Sequence, residues 1–148
     1  MVLVLLLLLG ACTARYVSLG PDAHHRFSIG AGQFRDMPLV SPTLLGWIVP
    51  GEQTRVDGAQ FTPDGRWLYL SSSRGVGDQL ASATLSRPTE GELSVELRLI
   101  QIPSPGRSAI GLFFGTRIWL DKPVDSGHPP RIIDASTGDP VAVEPYLP

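Results

Sequence analysis

The chain has 148 residues, with 12 Lys and Arg against 14 Asp and Glu, so its formal net charge is -2 at pH 7. The charges form no block of one sign, and without a basic patch the sequence lacks the electrostatic basis of nucleic-acid binding. The 16 Gly and 14 Pro make up roughly a fifth of the chain, below the ~25 to 30 % typical of low-complexity disorder, so we expect a folded protein with no nucleic-acid partner.

The first predicted element is the apolar segment Val2–Leu9. Its length suits the ~7 to 15 apolar residues of an export signal and falls short of the ~20 that span a bilayer as a helix. A longer segment would bring Arg15 into the apolar part and Gly20-Pro21 into the helix. We therefore expect a cleaved signal peptide, and the alternative is a buried amino-terminal strand with a core cysteine.

The end of this segment, Leu9-Gly10-Ala11-Cys12, resembles the lipobox of bacterial lipoproteins, in which an aliphatic residue stands three positions before an invariant cysteine. The resemblance implies that Cys12 carries a diacylglyceryl group, that cleavage occurs before Cys12, and that the new amino terminus receives a fatty acid such as palmitate. Two or more acyl chains make a stable membrane anchor. Cys12 is also the only cysteine, and lipidation would explain a lone thiol in an exported chain.

The same resemblance implies a cellular location and a domain organisation. Thr13 stands where an Asp would signal retention at the inner membrane, which favours the outer membrane, facing the periplasm. We expect a signal peptide at 1–11, a lipidated tether at 12–24 and a single β-rich domain at 25–148, long enough to bury one core.

The spacing of the prolines leaves few windows for a helix. Short apolar runs between Gly and Pro turns predict an all-β fold, a small antiparallel β-sandwich or barrel-like meander. The candidate strands in chain order are Phe27–Ile29, Leu44–Val49, Trp67–Leu70, Gln79–Ser86, Leu93–Ile102 and Ala109–Leu120, with an edge hairpin possible in the tail at 132–143.

The clearest strand is Leu93–Ile102, whose apolar residues alternate with polar ones and therefore predict one buried face. Pro103–Gly106 should turn the chain, so that Ala109–Leu120 returns as the partner strand of an antiparallel hairpin. This hairpin would belong to a meander that begins near Trp67, with the Ser- and Gly-rich Ser71–Asp78 as a loop within it.

The segment Phe61–Ser71 resembles one blade of TolB-like β-propellers, in which an aromatic residue precedes a Ser-Pro-Asp-Gly turn and an apolar strand. Locally, Pro63 presets φ, Asp64 can accept backbone hydrogen bonds and Gly65 tolerates positive φ. A propeller needs at least four blades of ~40 residues, more than this chain holds. We therefore expect a hairpin turn of this chemistry within another β fold.

Other short motifs favour turns over chemistry. In Gly106–Gly111 the second Gly follows Ser108 by three residues, where a nucleophile elbow requires two. The paired glycines lack the rest of a dinucleotide-binding pattern, and the Asp-Gly pairs indicate turns. The residues interpreted as turns are Gly30, Gly32, Gly75, Gly77, Asp57-Gly58, Asp64-Gly65 and Gly138-Asp139. We expect no catalytic residue, no metal and no cofactor.

The three histidines are the remaining candidates for chemistry. Adjacent His24 and His25 would project to opposite sides of an extended backbone and chelate poorly, although a metal site of Asp22, His24 and His128 is conceivable. The expected interpretation is that all three histidines occupy solvated loops. The adjacent Phe113 and Phe114 cannot both face one core in a regular strand, so we expect a second layer or an edge-covering loop over one of them, with an exposed aromatic patch as the alternative.

Two functions of different classes follow. The first is a non-enzymatic envelope lipoprotein, held at the membrane through Cys12, with a binding or structural role and an envelope protein as a possible partner. The alternative is a small hydrolase or metal-binding protein of the envelope that uses His24, His128 and a carboxylate. A carbohydrate or peptidoglycan binder with exposed Trp side chains is a third option. The sequence does not identify ligand-binding residues.

Overall fold

The computed structural model of this protein describes residues 23–30, 32–102 and 111–148. Eleven strands occupy most of these ranges, and the helical structure within them is one short 3-10 helix, Leu44–Trp47. The all-β fold class is confirmed. The strands are β1 His24–Ser28, β2 Phe34–Pro38, β3 Glu52–Thr54, β4 Val56–Phe61, β5 Trp67–Arg74, β6 Gln79–Thr89, β7 Glu92–Ile100, β8 Leu112–Trp119, β9 Arg131–Asp134, β10 Pro140–Val141 and β11 Val143–Glu144.

The strands form two mixed sheets and one separate hairpin. The first, the β7 sheet, has the order β10-β9-β7-β3, and β6 pairs along the other edge of β7. The second, the β5 sheet, has the order β11-β4-β5-β8. Most neighbours are antiparallel, whereas β7 with β9 and β4 with β11 are parallel. The hairpin consists of β1 and β2.

The main core lies between the two sheets. The buried face of β7 is the one expected from its alternation, and it packs against apolar side chains of β5 and β8. Burial of apolar side chains at roughly 25 cal/mol per Å² is the main force that holds the sheets together. The principal residues of the main core are Leu93, Val95, Leu97, Leu99, Leu68, Leu70, Phe114 and Ile118.

The expected hairpin between β7 and the following strand is wrong. β8 pairs with β5, from Trp67 opposite Trp119 to Arg74 opposite Leu112, and β7 pairs with β6 in the other sheet. Alternation in the sequence determines which face of a strand is buried but not which strand shares its hydrogen bonds. The turn predicted between them lies outside the described residues, as does most of Gly106–Gly111.

Three local predictions are also wrong. The segment Leu44–Val49 contains the 3-10 helix instead of a strand, because the Gly46 and Ile48 amides donate to the Thr43 and Leu45 carbonyls three residues earlier. Asp57-Gly58 is a bulge within β4 instead of a turn. β5 continues through Ser71–Ser73, because the Ser71 and Ser72 hydroxyls donate to backbone carbonyls of the β4 segment.

The turn between β4 and β5 has the expected geometry. Gly65 has φ +64, and the Asp64 carboxylate accepts a hydrogen bond from the Arg66 amide at 3.0 Å. The Thr62 hydroxyl oxygen accepts another from the Trp67 amide at 3.0 Å. The prediction of a hairpin turn is therefore confirmed, and four local groups fix where β5 begins.

The β1–β2 hairpin forms a third layer on the outer face of the β5 sheet. Phe27, Met37 and Leu39 are buried there against Tyr69. Leu39 forms a parallel bridge with Gly115 of β8, and the Val40 amide donates to the Gly115 carbonyl at 2.8 Å. The chain thus passes along the edge of β8 from the outer layer to the main core.

Replacement of Gly115 should loosen this outer layer. In Gly115→Ala the new Cβ would lie 2.7 Å from the Phe27 ring and 2.8 Å from Leu39, so we expect a loss of about 1 to 3 kcal/mol in the free energy of unfolding. Urea unfolding measures it. The matched control is Gly91→Ala, where nothing lies within 4 Å of the new Cβ and stability should hold. Equal stability of the two variants would contradict this packing.

Candidate functional site

The most exposed large apolar side chains of the described residues are in one segment, residues 44–49, which we call the apolar loop. Leu44 is 82 %, Trp47 86 % and Ile48 81 % exposed. Exposed apolar residues scattered singly are ordinary, whereas a contiguous group marks a surface that meets another apolar phase. The apolar loop is therefore the first candidate functional site.

Hydrogen bonds hold the apolar loop in a defined shape. The Thr43 amide donates to the Leu80 carbonyl at 2.9 Å, which fixes the start of the loop on β6. The Ile48 and Val49 amides both donate to the Leu45 carbonyl, at 3.0 and 2.8 Å. Since Gly46 also lies directly on the Ala81 backbone, the loop presents its side chains from a fixed backbone.

The apolar loop belongs to an uncharged stretch of chain. The flanking charged residues are Asp36 and Glu52, and none lies between them. The amino-terminal segment joins the fold beside this stretch, because the Leu39 amide donates to the Ala23 carbonyl at 2.8 Å. Leu44 follows Leu39 by five residues, so the two Cα atoms lie within about 18 Å of each other.

A second candidate is a cleft of about 320 Å³ beside β1. Its wall includes His24 and His25, which lie in strand β1, His24 exposed and His25 buried, so the expectation of solvated loops is wrong for both. The His25 ring stacks on Tyr69 with 3.9 Å between centroids, and its Nε2 lies 2.8 Å from Gln60 Oε1. The lining residues are His24, His25, Arg26, Asp36, Tyr69, Tyr146 and Pro148.

Burial controls the protonation of His25. Desolvation lowers the pKa of His25 from its ordinary value of 6.5, and the hydrogen bond with Gln60 opposes this shift. The adjacent His24 faces the exposed side of β1, which confirms that the two rings point in opposite directions. The cleft therefore combines one exposed histidine with one that stays neutral at pH 7.

The other residues singled out in the sequence lie apart. His128 is exposed in the loop after β8, with Nδ1 3.1 Å from Asp125 Oδ2. Asp22 and Cys12 lie outside the described residues. Within 23–30, 32–102 and 111–148, no three His, Cys, Asp or Glu side chains lie close enough to hold a metal ion. Among the predicted turn glycines, Gly30, Gly32, Gly65, Gly77 and Gly138 have positive φ.

The aromatic residues divide into packed and exposed groups. Phe114 is buried and Phe113 is 42 % exposed, so the structure agrees with the alternative of one exposed ring. Trp67 and Trp119 contact each other across β5 and β8 at 4.9 Å, and Arg117 lies 4.7 Å above Trp67. Among the aromatic residues that the structure describes, Trp47 is the most exposed, at 86 %. The signal for this in the sequence was an uncharged apolar run without alternation, between two prolines.

No family model, curated protein or solved structure shows significant similarity to this chain. Within the part of the chain that the structure describes, no helix is long and apolar enough to cross a membrane. The functional interpretation therefore depends on the residues of this chain and their arrangement.

The buried histidine should make stability depend on pH. Because burial lowers the pKa of His25, the unfolded chain binds a proton near pH 6.5 that the folded protein does not yet bind. The free energy of unfolding should therefore fall as the pH decreases below 6.5, and level off below the folded pKa. Urea unfolding over a pH series measures this, and His25→Phe should remove that part of the slope.

The control for this prediction is His24→Phe, on the exposed side of the same strand, which should retain the wild-type dependence. The interpretation is wrong if His25→Phe and the wild type have the same pH dependence of stability.

Proposed function

We propose that this chain is a lipid-anchored protein of the bacterial cell envelope, with a non-enzymatic binding or structural role at the membrane surface. The lipobox-like Leu9–Cys12 supports the anchor, and Thr13 supports an outer-membrane location that faces the periplasm. The lipid on Cys12 supplies the membrane contact, and each buried acyl CH₂ contributes ~0.8 kcal/mol to it.

The observation that carries the binding role is the exposure of Leu44, Trp47 and Ile48 on a hydrogen-bonded backbone. Exposed apolar side chains cost solubility, and a rigid loop loses little conformational entropy when it binds. Such a loop therefore supports recognition of another apolar surface better than it supports catalysis.

The second candidate is a hydrolase or metal-binding protein that uses His24, His128 and a carboxylate. The observation in its favour is the cleft, where His24 lies with Asp36. However, Asp36 pairs with Arg26 at 3.4 Å, and His128 pairs with Asp125 in another loop. The arrangement of the described residues supports this candidate less than the first.

The anchor is tested with Cys12→Ser. Without the thiol there is no diacylglyceryl transfer, so the variant should accumulate as uncleaved precursor or appear in the soluble fraction. Cell fractionation and mass spectrometry of the amino-terminal peptide measure both. Thr13→Ser, the neighbouring conservative change, should be processed and anchored normally. If Cys12→Ser is cleaved and membrane-bound as before, the proposed anchor is wrong.

A further inference from the structure

We propose that the apolar loop inserts into the interfacial layer of the lipid bilayer that carries the anchor, which gives the domain a second membrane contact and a fixed orientation. This inference deepens the proposed function and rests on it. The loop would meet lipid through Leu44, Trp47 and Ile48, which are the most exposed large apolar side chains of the described residues.

The composition of the loop suits the membrane interface. Tryptophan is enriched at the level of the lipid headgroups, where its ring is apolar and its indole N–H finds polar partners. Leu44 and Ile48 provide aliphatic side chains that the acyl boundary accepts. The backbone amides of Thr43, Ile48 and Val49 already have carbonyl partners, so insertion would leave these polar groups satisfied.

Charge does not oppose the contact. No charged residue lies between Asp36 and Glu52, so no ionised side chain of this stretch must leave water when the loop inserts. The chain as a whole has a net charge of -2 and offers no basic patch to anionic lipid. The contact should therefore depend on apolar burial, with little effect of salt or of lipid charge.

The tether can deliver the loop to the bilayer. The segment from Cys12 to Ala23 spans at most about 40 Å when extended, and the chain enters the fold at Ala23, beside Leu39. The apolar loop begins within about 18 Å of this point. With Cys12 lipidated, insertion becomes an intramolecular step at a high effective concentration, so a weak contact is sufficient.

The size of the exposed surface favours lipid over a protein partner. Three side chains of at most ~250 Å² each bury less than the ~800 Å² per partner of a typical stable protein interface. Protein interfaces also have a polar rim that supplies hydrogen bonds, whereas the loop has no charged side chain and its Gly46, Ile48 and Val49 amides already donate to carbonyls of the same segment. Insertion into a bilayer requires neither an area of this size nor a polar rim.

The experiment uses protein purified from its own membranes and reconstituted into neutral phosphatidylcholine vesicles with nitroxide-labelled lipids. The fluorescence difference between the wild type and Trp47→Phe isolates the Trp47 emission. We expect this emission to shift to the blue and to be quenched, more by a shallow label than by a deep one, equally at low and high salt. Mass spectrometry of Cys12 on the same sample reports the anchor separately.

Two variants test whether the loop itself makes the contact. Leu44→Ser combined with Ile48→Ser keeps Trp47 as the reporter and should lose the quenching, while the protein stays on the vesicles through its anchor. The control is Phe34→Ser, which removes an exposed aromatic side chain outside the loop and should leave the quenching of Trp47 unchanged. Circular dichroism of each variant confirms that the fold is retained.

The outcomes separate the two proposals. Lipidated Cys12 with unquenched Trp47 overturns the insertion and leaves the anchor intact. Unmodified Cys12 with quenched Trp47 refutes the anchor and supports the insertion. Quenching that persists in the double serine variant overturns the role of the loop. A photo-cross-linker at Leu44 that captures protein rather than lipid in native membranes would show a partner in place of the bilayer and would also overturn the insertion.

Discussion

The close contact at Gly115 holds the β1–β2 hairpin against the β5 sheet. Because this residue has no side chain, the Phe27 ring and Leu39 approach the β5 sheet closely enough for Leu39 to bridge to β8. From there Val40 enters the main core, and the chain continues to β6 and the apolar loop. The position of the hairpin and of the cleft beside it therefore depends on this close approach, whereas the apolar loop is fixed by its own contacts with Leu80 and Ala81.

The outer layer buries a pair of polar side chains, His25 and Gln60, whose Nε2 and Oε1 atoms lie 2.8 Å apart. The main core also contains polar groups, because Ser72 and Thr116 are buried on the core faces of β5 and β8, where their hydroxyls donate to the Arg55 and Val40 carbonyls. Asp134, at the end of β9, is also a buried polar residue. Its carboxylate accepts hydrogen bonds from the Val56 amide and from the Ser136 hydroxyl. A buried polar group is tolerated when its partner is fixed in place, and here the packing of the hairpin and of the two sheets brings the partners together.

The apolar loop is the opposite case, since apolar groups stay in water although the fold has a large core. The two close glycine contacts explain why: Gly46 lies against Ala81, and Gly51, with φ +69, lies against the Leu99 carbonyl. The backbone between Gly46 and Gly51 lies directly on the outer surface of the β7 sheet. There is no space for large side chains beneath it, so Trp47 and Ile48 point into solvent. The exposure of the apolar side chains is a consequence of this path of the backbone. Contact with a membrane surface would remove these side chains from water.

The sequence alone determined the features that depend on neighbours along the chain. The alternation from Leu93 to Leu99 specified a buried face, Asp64 and Gly65 specified a turn, and the proline spacing specified an all-β fold. Each of these follows from local sterics or from the period of a strand. The lipobox at Cys12 belongs to the same class, because its meaning lies in four adjacent residues, and it stays a prediction.

The tertiary structure decided everything that depends on distant partners. It placed β7 and β8 in different sheets, made Leu44–Trp47 a 3-10 helix and buried His25 beside Gln60. The sequence could not reveal these outcomes, because an apolar run has the same local preference whether it pairs with the next strand, crosses a sheet or stays in water. The choice depends on which backbone edge is free and how closely two segments can approach, and only the folded chain fixes both.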